Sequence, residues 1–223
     1  MYKIILSFLF ITSLAACSLN NAEEDKSLEK YFKENNVSGT FGMFNNGTGK
    51  FTMYNMGRYR DSAYPPFHTS TIVYSLIGLE TGTIKDSIDL LRNDSVRVSK
   101  DTIQHWMDTL GYKHTITADE QLGLVKKLYF SQLPFQPRTQ RIVKNVMKKE
   151  DNSNYILSYQ AGNGVTAQNH ALGWLVGWIE ENRHPHFFVL QTESPDASRN
   201  LETTNVQILK GILKQYAFLE GKR

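Results

Sequence analysis

One stretch limits what the rest of the chain can build: Pro66-Phe67-His68-Thr69-Ser70-Thr71-Ile72-Val73-Tyr74-Ser75-Leu76-Ile77-Gly78-Leu79-Glu80-Thr81-Gly82. Ile72, Val73, Leu76, Ile77 and Leu79 recur at helical spacing, and Gly82 ends the run. Pro66 stands in a loop at its start, where a fixed φ is tolerated. A helix this apolar belongs in a core, so other elements must surround it.

The flanking sequence supplies those elements. Leu28 to Lys33 predicts a short helix, and Gly39 to Phe44 and Lys50 to Asn55 alternate around Asn45-Asn46-Gly47-Thr48-Gly49 as a β-hairpin. Helices are expected from Lys100 to Leu110, from Ala118 to Phe130 behind a Thr117/Glu120 capping box, and from Thr139 to Lys148 beyond the break at Leu133-Pro134-Phe135. Three apolar or alternating runs follow: Tyr155 to Gln160, Gly173 to Glu180 and His186 to Gln191. A last helix, Leu201 to Phe218, turns Val206, Leu209, Leu213 and Tyr216 inward, with Gly211 costing about 1 kcal/mol relative to alanine. Strands, then helices, then strands and a helix predict an α+β fold, one antiparallel β-sheet covered by helices.

The first residues have a different purpose. Lys3 precedes an apolar run from Ile4 to Ile11 and then Leu14-Ala15-Ala16-Cys17, small residues ahead of a cysteine, the pattern of a bacterial lipoprotein signal. Residues 1–16 are expected to be cleaved, Cys17 to be lipidated, and residues 17–27 to tether a domain of residues 28–223 to the membrane. The run falls short of the ~20 residues a spanning helix needs. The expected location is the bacterial cell envelope, as a periplasmic or outer-membrane lipoprotein. Cys17 is the only cysteine in 223 residues, which leaves no disulfide, thiolate metal site or catalytic thiol. A formal charge of +3, lower once Lys3 is removed, argues against a nucleic-acid surface. Lys126-Lys127 and Lys148-Lys149 read as solvated faces of helices.

Ser75 to Gly82 and the Pro-containing entry before it resemble the nucleophile helix of class D β-lactamases and the related penicillin sensors and transpeptidases. There Pro-x-Ser-x-x-Lys runs into Ser-Leu-Ile-x-Leu-Glu-Thr-Gly. The likeness continues through Gly39-Thr40-Phe41, Tyr54-Asn55, Glu120-Gln121, Leu133-Pro134-Phe135, Trp174 to Glu180 and Leu213 to Leu219, most of the chain from Gly39 onward. It implies the β-lactamase/transpeptidase-like fold with a truncated helical region, because Thr83 to Lys100, including Asp94-Ser95-Val96-Arg97-Val98, is shorter than the family's insert and holds no Ser-x-Val.

At the positions that carry the family's chemistry the residues differ. Ser-x-x-Lys works because residues three apart share a helix face, which sets the amine beside the hydroxyl it deprotonates. Here His68 stands at the serine and Thr71 at the lysine. Tyr112 alone remains of Tyr-Gly-Asn. The Lys-Thr-Gly strand motif, a cation and hydroxyl for a substrate carboxylate with a glycine for close approach, becomes Gln160-Ala161-Gly162. Asn205 falls at the family's carboxylate-binding arginine.

The resemblance therefore implies lost covalent chemistry, with residual binding of a peptidoglycan peptide, a β-lactam or a protein partner. Two other readings stay open: a serine hydrolase using Ser70 or Ser75 with His68 as base, and an envelope interaction module. His184-Pro185-His186 has no third ligand at recognised metal spacing, and no metal or cofactor is expected. His105 and His114 read as surface residues; Trp174 and Trp178, on one strand face, read as core.

Overall fold

The structure is a computed structural model and describes residues 21–92 and 98–221. A seven-stranded sheet in the order β1-β3-β2-β7-β6-β5-β4 runs through it. The strands are β1 (Ala22–Glu24), β2 (Ser38–Asn45), β3 (Phe51–Tyr54), β4 (Lys148–Asp151), β5 (Ile156–Val165), β6 (Ala171–Glu181) and β7 (His184–Ser194). The helices are α1 (Glu29–Glu34), α2 (Met56–Asp61), α3 (Thr71–Glu80), α4 (Ser87–Arg92), α5 (Lys100–Leu110), α6 (Ala118–Tyr129), α7 (Pro137–Met147) and α8 (Glu202–Gln215).

Helices cover both faces of the sheet. On one face α3, α6 and α7 close a core of Val73, Leu76, Ile77, Val125, Leu128, Trp174, Trp178 and Val189. On the other, α1 and α8 pack Phe32, Ile208 and Ile212 onto Phe41, Leu175, Ile179 and Leu190. Because β6 is buried on both faces, it reads as a continuous apolar run without polar alternation. The α3 helix buries Ile72, Val73, Leu76, Ile77, Gly78 and Leu79, as its apolar spacing requires. Its entry is a separate 3-10 turn, Phe67–Ser70.

Several expectations need correction. The sheet is mixed: β1 lies parallel to β3, whereas every other pairing is antiparallel. Part of the expected tether is folded into the domain, since β1 pairs with β3 and Asp25 N–H donates to the Met53 carbonyl at 2.7 Å. Cys17, the leader and residues 94–97 lie outside the described residues. The α7 helix ends at Met147, and Lys148-Lys149 leave it as strand β4. The helices α2 and α4 have six residues each, too few to show a period in sequence. The capping box at Thr117 and Glu120 forms as expected.

A candidate ligand cleft at the start of α3

The turn into α3 presses against β5. Phe67 has φ +46°, a left-handed conformation uncommon for a bulky residue, and its ring lies on Gly164, where a Cβ would come within 2.1 Å of it. A Cβ on Gly162 would lie 2.7 Å from Thr69 N and 3.1 Å from the His68 backbone, so the strand approaches the turn only with glycine there. His68 Nδ1 sits 3.4 Å from the Asn163 carbonyl, which can only accept, so Nδ1 is the donor. The Asn163 side chain accepts from Leu201 N–H at 3.1 Å and fixes the approach to α8. Turn, strand and helix start thus converge.

Between them opens a cleft of about 460 Å³. His68 stands at its mouth, Tyr159, Gln160 and Ala161 of β5 run along it, and Glu202, Thr203 and Val206 of α8 form a wall. The β4 strand pairs with β5 only as far as Ser158, so among the described residues the outer edge of β5 beyond that point has no strand partner. The register there slips: Lys148 pairs with Ser158 and Glu150 with Leu157, which leaves Lys149 as the extra residue of a bulge. A bulge re-aims a side chain, and Lys149 lines the cleft. Its ammonium lies 5.9 Å from the centre of the Tyr159 ring, and partial burial lowers its pKa from the usual lysine value.

The expected site residues divide. His68, Gln160 and Ala161 line the cleft, and Gly162 seats the turn beside it. Thr71 does not line it; the Thr71 hydroxyl donates to the His68 carbonyl at 2.7 Å. Tyr112 is buried near Gln121 and Tyr74, where burial raises its phenol pKa, and it borders a different depression between α5 and α6. Asn205 is fully buried and accepts from the Thr192 hydroxyl at 2.5 Å, so it is no counterpart of a carboxylate-binding arginine in the cleft. No described residue of the shortened 83–100 interval lines the cleft; Lys85 beside α4 is instead held by Arg138 of α7, at 2.9 Å.

The hydroxyls around His68 are committed to the backbone. Thr69 donates to Pro66 O at 2.6 Å, Ser70 to Phe67 O at 2.6 Å and Thr71 to His68 O at 2.7 Å. Thr69 also accepts from Gln121 Nε2 at 2.7 Å in the buried interior. Ser75 lies farther along α3 and does not border the cleft. Away from this region, His184 is exposed, whereas His186 is buried with its ring 4.6 Å from that of Phe218. No group of three metal-ligating side chains occurs among the described residues.

Lys149 and Glu202 escaped the sequence reasoning. Its apolar neighbours make Lys149 read as a helix face, yet the polar turn Asn152-Ser153-Asn154 ahead of a strand signals a hairpin, and a hairpin needs a strand on its near side. For Glu202 no sequence signal existed.

No family model matches the chain. It is similar to β-lactamase OXA-20 of Pseudomonas aeruginosa, with 24% identity over 86% of this chain and 90% of the relative. Its identity with β-lactamase OXA-48 of Klebsiella pneumoniae is 26%, over 86% of this chain and 89% of that one. Among solved structures, the C-terminal domain of the Bacillus licheniformis BlaR penicillin-receptor superposes with a TM-score of 0.78 at 20% identity, covering 88% of this chain and 96% of the other. The class D β-lactamase FUS-1 (OXA-85) of Fusobacterium nucleatum subsp. polymorphum gives 0.78 at 21% identity over 89% of this chain and 100% of that one. The chain is thus similar to class D β-lactamases over nearly their whole length, and its fold is that of the solved class D β-lactamases and of the BlaR penicillin-receptor domain.

Proposed function

We propose that the protein is a lipid-anchored envelope member of this family that binds a β-lactam or a peptidoglycan peptide in the cleft without being acylated. The observation that carries this reading is the hydrogen bonding around His68, where Thr69, Ser70 and Thr71 each donate to the carbonyl three residues back. Acylation needs a hydroxyl with a base in reach, and an imidazole at 68 followed by an alcohol at 71 supplies neither the attacking oxygen nor the neighbouring amine. Recognition needs less. The unpartnered outer edge of β5 offers backbone donors and acceptors of the kind that pair with an extended peptide-like ligand, and Gly162 keeps the turn close to it. A relative named as a penicillin receptor supports binding as the role, and Leu14-Ala15-Ala16-Cys17 supports the anchor.

The test is to incubate the domain with benzylpenicillin, record its intact mass, and follow backbone amide shifts in the same titration. The expected result is an unchanged mass, no turnover of a chromogenic cephalosporin, and shifts at His68, Ala161 and Thr203. A covalent adduct overturns the proposal. For the anchor, Cys17→Ser in the full-length chain is expected to move the protein from the membrane to the soluble fraction.

A further inference from the structure

Among the described residues, two charges in the cleft, Lys149 and Glu202, make no salt bridge. Along the same edge, Glu150 Oε1 pairs with Lys210 Nζ at 2.7 Å and also accepts from the Tyr155 hydroxyl at 2.6 Å, which ties β4 to α8. The residue before it, Lys149, is the extra residue of the bulge, lines the cleft on the same α8 side, and makes no salt bridge among the described residues. Glu202, two turns before Lys210 on α8, makes none among the described residues either. Both line the same open cavity as Gln160, a residue that brings no charge of its own.

We propose that the cleft selects a small zwitterion, with Lys149 holding its carboxylate, Glu202 its ammonium group, and Tyr159 the apolar stem between them. The strand position where a cation is expected carries Gln160, and the cation arrives from the neighbouring strand. An ammonium and a carboxylate fixed by β4 and by α8 favour a ligand that presents both charges over one that presents either alone. A charge-assisted hydrogen bond to each end is stronger than a neutral one, and a partly screened cleft weakens the field less than open water does. This inference rests on the cleft being a binding site, as proposed above. It adds which ligand chemistry the cleft prefers and which two residues set that preference.

The probes are D-alanyl-D-alanine, its N-acetyl derivative without the amine, and its C-terminal amide without the carboxylate, each titrated against the domain with amide shifts as the readout. The free dipeptide is expected to bind at least 10-fold tighter than either blocked form, about 1.4 kcal/mol. In Lys149→Met the dipeptide and its amide are expected to bind alike, whereas Lys149→Arg keeps the preference. In Glu202→Gln the dipeptide and its N-acetyl form are expected to bind alike. Both side chains line an open cavity and make no salt bridge among the described residues, so circular dichroism and melting are expected to be unchanged. Preferences that persist in the variants overturn the inference, and so does a lack of shifts with all three probes. If benzylpenicillin still binds non-covalently in that case, the proposed function stands while the inference falls. A penicillin adduct removes the former.

Discussion

At the scale of single residues, the buried Thr69 hydroxyl joins three pieces of the molecule. It donates to Pro66 O and accepts from Gln121 Nε2, linking the proline loop, the turn and α6. Thr69→Val keeps the shape, and Pro66 O keeps its bond from Thr69 N–H at 3.1 Å, but the Gln121 amide loses its acceptor in the interior, at about 1–3 kcal/mol. The expected outcome in thermal denaturation is a melting temperature lower by several degrees, with the cleft-facing Thr203→Val unchanged as the control. The two positions also differ in how far sequence could place them. Motif spacing located His68 and Gln160-Ala161-Gly162 because they belong to a helix start and a strand, whose geometry is local. It misassigned Asn205, which the turn after β7 carries inward to Thr192, and Tyr112, which α6 covers. Both depend on contacts between elements that no spacing encodes.

At the scale of elements, the loop joining β5 and β6 is tied to β7 and α2 by a nearly buried cluster. Glu193 of β7 receives a hydrogen bond from Arg58 of α2 and makes another with His170 Nδ1 at 2.7 Å, while Arg58 Nε donates to Gln191 at 2.6 Å. Burial raises the Glu193 pKa, but the hydrogen bonds to Arg58 and His170 outweigh it and hold the carboxyl below its ordinary value. A carboxylate with a depressed folded-state pKa contributes stability that is complete above its unfolded pKa and is lost as pH falls through the folded one. The melting temperature is therefore expected to drop on acidification below about pH 5, with Glu193 contributing. Arg58→Met removes one of the two partners of this nearly buried carboxylate at a cost of about 1.5–3 kcal/mol, and its melting temperature is expected to depend less steeply on acid over the same range.

The α8 helix gives a second test at this scale. Helix propensity alone predicts that Gly211→Ala gains about 1 kcal/mol. A Cβ there would stand 2.7 Å from the Tyr31 ring of α1, so the two helices must separate or the ring must move. Denaturant titration is expected to show no gain. The period of α8 was legible in the sequence, and its tight contact with α1 was not.

At the scale of the whole molecule, the two ends of the described chain are joined. Asp25 accepts from the Tyr216 hydroxyl at 2.6 Å just past the end of α8, and β1 extends the sheet beside β3. Removing residues 21–25 takes away the outermost strand pairing and this bond together. The truncated domain is expected to melt several degrees lower, since each kcal/mol shifts a chain of this size by about 2–4 °C. Scanning calorimetry on the domain with and without these five residues decides it. The fold class and most long elements were legible because one central helix and three apolar strands dictate a layered core. The parallel edge was not, because a three-residue strand carries no period and its partner is distant in sequence.

The slipped register in β4 has a consequence for how such proteins diverge. Loss of the Lys149 codon leaves Lys148 opposite Ser158 and Glu150 opposite Leu157 in an even ladder, with the following side chains on the faces they already occupy and the lysine gone from the cleft. The cationic character of the cleft then depends on segment length and not on the spelling of any motif. Chains compared column by column can look equally basic here while only those with the added residue place a lysine in the cleft.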